Sequence, residues 1–109
     1  MALREVVSTF AHLPTLLRVK KALEPRPPDT RDSFAIRLEQ VVDRFGPRPA
    51  LLFEGTTLTW NEVNERSNRY AHALKSQGVA RGDTVSVVME NRIEFICLLV
   101  ALHKIGAVA

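Results

Sequence analysis

Apolar side chains recur at three- and four-residue spacing in several stretches of this chain, and short β-branched or leucine-rich runs lie between them. Leu3, Val6, Val7, Phe10, Leu13 and Leu17 form the first stripe, an amphipathic helical pattern. Pro14 is expected to kink or interrupt it. Glu24-Pro25-Arg26-Pro27-Pro28-Asp29 reads as a linker, because proline donates no hydrogen bond and restricts the residue before it. The boundary of the globular part falls near Thr30. Asp32 or Ser33 can cap the next helix, whose stripe is Phe34, Leu38, Val41, Val42 and Phe45. Gly46-Pro47 ends it, with the glycine suited to a left-handed cap.

Ala50 to Phe53 reads as a strand, Gly55-Thr56 as a turn and Thr57 to Thr59 as a short return strand. Thr59-Trp60-Asn61-Glu62 has the spacing of a capping box. The helix after it places Val63, Tyr70, Ala71 and Leu74 on one face with Ser67 between them, and Gly78 stops it. Gly82-Asp83 turns into Thr84 to Val88, a β-branched run that predicts a strand buried on both faces, as in a parallel sheet. Asn91-Arg92-Ile93-Glu94 repeats the capping-box spacing. Phe95, Leu98, Leu99, Leu102 and Ile105 form the stripe of the following helix, and Gly106 is its stop. Ala107-Val108-Ala109 reads as the onset of another strand. Strand, helix and strand onset make a β-α-β unit and predict an open α/β sheet. Three residues do not complete a strand, so the sequence is expected to be the front of something larger, with an exposed apolar sheet edge.

Composition adds constraints. The chain has 109 residues, 46% hydrophobic and 25% charged, as in ordinary soluble domains. Its net charge of +3 resides entirely in residues 1–31, and residues 32–109 are neutral. The globular part therefore has no electrostatic footprint for nucleic acid. The basic stripe over residues 3–21 leaves two readings: an interfacial anchor on anionic lipid, or a helix docked on a partner surface. The longest apolar run, Phe95 to Leu102, is far too short to span a bilayer. A lone cysteine, Cys97, excludes an internal disulfide and fits a reducing compartment.

Chemistry-bearing patterns are sparse. There is no phosphate-cradling glycine loop, metal-ligand spacing or nucleophile elbow. His12, His72 and His103 fall in separate helices and read as surface or packing residues. Cys97 lies in an apolar helix and is expected to be buried and inert. Asp83 reads as a turn carboxylate, and Glu62 and Glu94 as cap residues. Asn91 stands where a strand end meets a helix start, a position that faces ligand crevices in open α/β sheets, although capping alone would account for it. No catalytic, cofactor-binding or metal-binding residue is nominated.

From Arg48 onward an ordered set of motifs carries a resemblance. It comprises Arg48-Pro49-Ala50, Thr57-Leu58-Thr59-Trp60-Asn61-Glu62-Val63-Asn64 and Asn68-Arg69-Tyr70-Ala71-His72-Ala73-Leu74. Gly78-Val79-Ala80-Arg81-Gly82-Asp83-Thr84-Val85, Glu90-Asn91-Arg92-Ile93-Glu94-Phe95 and Leu102-His103-Lys104-Ile105-Gly106-Ala107-Val108 complete it. This resembles the beginning of the adenylate-forming acyl-CoA synthetases. Ala50-Leu51-Leu52-Phe53-Glu54-Gly55 and Val87-Val88-Met89-Glu90-Asn91-Arg92 point within them to the very-long-chain acyl-CoA synthetase and fatty acid transport protein group. The resemblance implies a parent that uses ATP, Mg²⁺ and coenzyme A to activate a fatty acid. The carboxylate becomes an acyl-adenylate with loss of pyrophosphate, and coenzyme A then takes the acyl group. The family's Ser/Thr/Gly-rich phosphate loop, acidic Mg²⁺ ligand and C-terminal lysine have no counterpart in this sequence, so the resemblance carries no catalytic residue onto it.

The fold expected is α/β, an incomplete part of the large N-terminal domain of an adenylate-forming enzyme with a helical N-terminal arm. Residues 1–29 are read as a basic amphipathic arm and Pro-rich linker, and residues 30–109 as the truncated synthetase domain. The function expected is that of an N-terminal fragment of a long-chain or very-long-chain fatty acid–CoA ligase, inactive alone and without cofactors of its own. It is expected in the cytoplasm or peripherally on the cytoplasmic membrane face. The alternative is a non-catalytic α/β module that binds a membrane or partner.

Overall fold

The computed structural model describes the backbone of residues 3–109 and the side-chain surroundings of residues 12–109. Two units are present, Met1–Arg31 and Asp32–Ala109. The first contains α1, Leu3–Leu23, which runs unbroken with Pro14 in its interior rather than stopping there. Leu13, Leu16, Leu17, Val19 and Leu23 of α1 are exposed. The other stripe positions, Leu3, Val6, Val7 and Phe10, lie outside the residues whose side chains are described. A turn follows in the proline segment, where the Thr30 amide donates to the Pro27 carbonyl at 3.0 Å.

The second unit is built from α2 (Phe34–Phe45), β1 (Pro49–Phe53), β2 (Thr56–Thr59), α3 (Trp60–Ser76) and α4 (Ile93–Ile105). Ser33 caps α2, its side chain accepting from the Ile36 amide at 3.3 Å. Asp32 instead receives a two-point fork from Arg37, 2.7 Å at each nitrogen. Gly46 takes right-handed helical backbone (φ −38°, ψ −51°), so it is not the left-handed cap its sequence position suggests. Space requires the glycine: a Cβ there would lie 2.8 Å from Cγ of Asn61. The carbonyls of Gly46 and Arg48 accept from the amides of Asn61 and Trp60, at 3.0 and 3.1 Å. Those amides begin α3 and have no partner within it, so the end of α2 is tied to the start of α3.

β1 and β2 pair antiparallel, with Phe53 opposite Thr56 and Leu51 opposite Leu58. The turn residues are Glu54 (φ 46°) and Gly55 (φ 79°), one position earlier than the Gly55-Thr56 turn read from sequence. Two consecutive positive φ angles match the right-handed twist of a two-residue hairpin, and this releases Thr56 into β2. Thr59 then caps α3 with a complete capping box. The Thr59 amide donates to Glu62 Oε2 at 2.7 Å, and the Glu62 amide donates to Thr59 Oγ1 at 3.3 Å.

α3 packs against α4 more extensively than any other pair of helices. Leu58, Val63 and Cys97 form the centre of the core, with Ala50, Leu51, Tyr70 and Ile93 against them. Of the face expected for α3, Val63, Ser67 and Ala71 are buried, whereas Tyr70 and Leu74 are half-buried. α4 is rotated from the expected stripe: Cys97, Val100, Ala101 and Leu102 are buried, while Phe95, Leu98, Leu99 and Ile105 are half-buried. A helix apolar at nearly every position has too weak a moment to fix its facing, so contact with α3 decides it. Gly106, in the left-handed region at φ 74°, stops α4 as expected. Its amide donates to His103 and that of Ala107 to Leu102, which is the Schellman pattern.

Two expectations fail between α3 and α4. Thr84 to Val88 does not form a strand; Thr84 makes one parallel bridge to Val108. The Val85 amide donates to the Val108 carbonyl and the Val108 amide to Asp83, both at 2.8 Å. A ladder needs several consecutive pairs, and the pairing here ends after these bonds. Burial on both faces is absent as well, since Val88 is 95% exposed. The second capping box is also absent. α4 starts at Ile93 with Arg92 as its N-cap and no side-chain cap bond, so Asn91 lies one residue outside and Glu94 pairs with Arg92 at 3.5 Å.

The hydrogen bonds from Thr59, the backbone amide first, hold the Glu62 carboxyl below its ordinary range. A depressed folded value stabilises the fold above the unfolded carboxylate pKa, and that contribution is lost as pH falls through the folded value. Glu62→Gln keeps a capping-box acceptor but cannot titrate. The stability advantage of the unsubstituted chain over Glu62→Gln should therefore shrink steadily in urea unfolding as pH is lowered from neutrality through the carboxylate range. A gap independent of pH would contradict this.

Candidate functional site

The end of the extended segment and the start of α4 form one wall of a hollow of about 460 Å³. Glu90, Asn91 and Arg92 supply this wall, the hairpin tip adds Phe53, Glu54 and Thr56, and Arg66 reaches in from α3. Asn91 thus lines the crevice that its place in the sequence suggests. The lining is polar and of mixed sign. Arg92 is engaged by Glu94, whereas Arg66 makes no ion pair within 4 Å among the described residues. Among the described lining residues Thr56 is the one hydroxyl, with no histidine, cysteine or lysine to activate it. The hollow can hold a polar ligand but has no nucleophile paired with a base.

A second recess, about 270 Å³, lies between α2, β1, α3 and α4 and is almost wholly apolar, with Leu38, Leu51, Trp60, Val63 and Val100 in its walls. Its composition is that of an incompletely filled core rather than of a reactive site.

The sequence-flagged residues are not brought together. His12 is exposed on α1 and His72 on α3. His103 packs its ring 4.9 Å from that of Phe34 at 46°, joining α4 to α2. Asp83 serves its turn, its carboxylate accepting from the Ala80 amide at 2.8 Å. Among the described residues, no three His, Cys, Asp or Glu side chains are placed to hold a metal ion. Cys97 is fully buried, and that burial pushes its thiol up from the ordinary range, against a smaller opposing pull from Arg66.

Sequence reading missed Lys104. Its ammonium donates to Asn64 Oδ1 at 2.6 Å and Asn68 Oδ1 at 2.8 Å, clamping α4 to α3. The available signal was the spacing of Asn64 and Asn68, one turn apart on the same helix face.

Comparison with known proteins assigns this arrangement. Residues 38–109 match the profile of the family described as AMP-binding enzyme. The chain is 37% identical over 70 residues to a medium/long-chain-fatty-acid–CoA/3-oxocholest-4-en-26-oate–CoA ligase of Mycolicibacterium smegmatis, covering 64% of this chain and 13% of that protein. It is 38% identical over 79 residues to long-chain fatty acid transport protein 6 of Mus musculus, covering 65% and 13%. The solved N-terminal subdomain of NpsA from Klebsiella oxytoca superimposes with a TM-score of 0.67 at 29% identity, covering 69% of this chain and 20% of that one. The chain thus spans about one-eighth of the length of these curated relatives. The α/β fold is that of the N-terminal subdomain of adenylate-forming enzymes.

The buried, raised thiol of Cys97 predicts slow labelling. At about pH 8 a dithionitrobenzoate reagent should modify the native chain far more slowly than the chain in denaturant, because only the thiolate reacts and burial suppresses it. Equal rates would show that Cys97 is open to solvent.

Proposed function

The chain belongs to the AMP-binding enzyme family, and we propose that it forms the N-terminal scaffold of a fatty acid–CoA ligase. The supporting observation is the match over residues 38–109 together with relatives named as fatty acid–CoA ligases and a fatty acid transport protein. In this reading residues 30–109 belong to the synthetase domain and residues 1–29 are an arm outside it. The parent reaction joins a long-chain or very-long-chain fatty acid to coenzyme A at the expense of ATP. Adenylation exchanges a poor oxide leaving group for AMP, which the thiol of coenzyme A then displaces. The described side chains do not fit ATP–Mg²⁺, having no clustered metal ligands and no phosphate loop, so no step is assigned to them. Their contribution is architectural, and the 109 residues are inactive alone.

The exposed leucines of α1, with Lys20 and Lys21 in its last turn, support a second role. We propose that α1 rests on the cytoplasmic face of a membrane, its leucines in the interface and its lysines on anionic headgroups. No helix among the described residues is long and apolar enough to cross a bilayer.

Two experiments test these roles. Residues 38–109 grafted in place of the matching segment of the Mycolicibacterium smegmatis ligase should preserve fatty-acid-dependent ATP–pyrophosphate exchange, while the 109-residue chain alone gives none. A cooperatively folded chimera without exchange would overturn the scaffold reading, and exchange by the chain alone would overturn its inactivity. In vesicle co-sedimentation the chain should bind phosphatidylglycerol-containing vesicles, with about a fivefold loss for each of Lys20→Gln and Lys21→Gln. Binding that ignores these substitutions would refute the arm's role.

A further inference from the structure

A second polar feature on α3 shares Arg66 with the crevice at the start of α4. A hollow of about 290 Å³ is lined by Arg66, Arg69 and Tyr70. Each of these side chains can donate a hydrogen bond, two are cationic, and none of the described lining residues is a carboxylate. Arg66 is half-buried and makes no ion pair within 4 Å among the described residues. Its charge acts on Glu62, one turn earlier, and on Cys97, both beyond ion-pair distance. Arg69 touches Glu65 at 3.5 Å, an exposed pair about 70% open on both sides and weak for that reason. Helical spacing aligns the three, since Arg69 and Tyr70 follow Arg66 by three and four positions.

Tyr70 also faces a second recess. A hollow of about 200 Å³ is lined by Tyr70, Ala73, Leu74, Gln77 and Leu98, and its surface is almost entirely apolar. Tyr70 lines both hollows, so a basic depression and an apolar one share a residue of α3. With no carboxylate within 4 Å among the described residues, the Arg66 guanidinium keeps hydrogen-bond donors available to an anion. A planar fork beside a phenol hydroxyl suits the oxygens of a phosphate or carboxylate.

We propose that this surface binds an amphipathic oxyanion, its charged head on Arg66, Arg69 and the Tyr70 hydroxyl and its alkyl chain over Ala73, Leu74 and Leu98. Binding here stands or falls independently of the scaffold reading. The head-group chemistry is common to free monomers and to lipid in a membrane.

The test is a titration of the isotope-labelled 109-residue chain followed by amide and side-chain resonances. Octyl phosphate below its micelle concentration is the first probe, inorganic phosphate the second, and anionic phosphatidylglycerol vesicles against neutral phosphatidylcholine vesicles the third. Octyl phosphate should shift residues 66–77 and Leu98 saturably, more tightly than inorganic phosphate. Arg66→Gln and Arg69→Gln should each weaken it about tenfold. Arg69 is exposed, so its substitution leaves the fold intact even if that of Arg66 does not. Preference for the monomer identifies a soluble amphiphile, and protection of the same residues only by anionic vesicles identifies a lipid. No saturable shift with any probe would overturn the proposal. So would equal affinity for inorganic phosphate, or binding unaffected by Arg69→Gln.

Discussion

The close approach of α3 to α4 is the constraint on which the rest of the globular unit depends. Ser67, Cys97 and Ala101 have no exposed surface at all, and each is small enough for two helix backbones to come together. A serine in such a contact would be costly if its hydroxyl were left without a partner. Ser67 avoids that by donating to the Val63 carbonyl one turn earlier, at 2.7 Å. The contact is closed at its edge by Lys104 on Asn64 and Asn68. With the two helices fixed, Leu58 has an apolar surface to cover, and the hairpin that carries it gains a position it could not hold alone.

Elements whose identity is set by local chemistry were legible in the sequence. The Thr59–Glu62 capping box, the Ser33 cap, the inward face of α3 and the Gly106 stop all depend on residues within a few positions of one another. Features decided by tertiary contact were not legible. Gly46 looks like a left-handed cap in sequence, yet the space taken by Asn61, fifteen positions on, is what excludes a side chain there. Asn91 and Glu94 have the right spacing for a box, but the helix begins at Ile93 and the spacing then has no geometric meaning. In α4 nearly every position is apolar, so periodicity could not choose a face and α3 chose it instead.

The segment at residues 84–88 separates propensity from structure. Its β-branched residues favour extended backbone, and extended is what they remain. A strand, however, is a relation between chains of hydrogen bonds, and only the Thr84–Val108 bridge is present. The direction of that bridge is parallel, which agrees with a β-α-β connection through α4. The candidate crevice with Asn91 follows from the same connection, because an extended segment that ends where a helix begins leaves its backbone and polar side chains facing outward. The crevice was therefore legible as a place, whereas its occupants Phe53, Thr56 and Arg66 come from elements distant in sequence and were not.

One helix period accounts for both the stability and the chemistry of α3. Positions 63, 67 and 71 recur every four residues and point into the core, which leaves 66 and 69 on the flank and 70 between the two. Tyr70 accordingly packs its ring against the core cluster while also lining both outer hollows. An amphipathic side chain at the border of a buried face can satisfy packing with its ring and offer its hydroxyl outward. Arg66 occupies a similar border and lines both the crevice and the basic hollow. The polar chemistry of the helix is thus concentrated at the margin of its apolar face, where the surrounding core restricts the side chains and the solvent still admits a ligand.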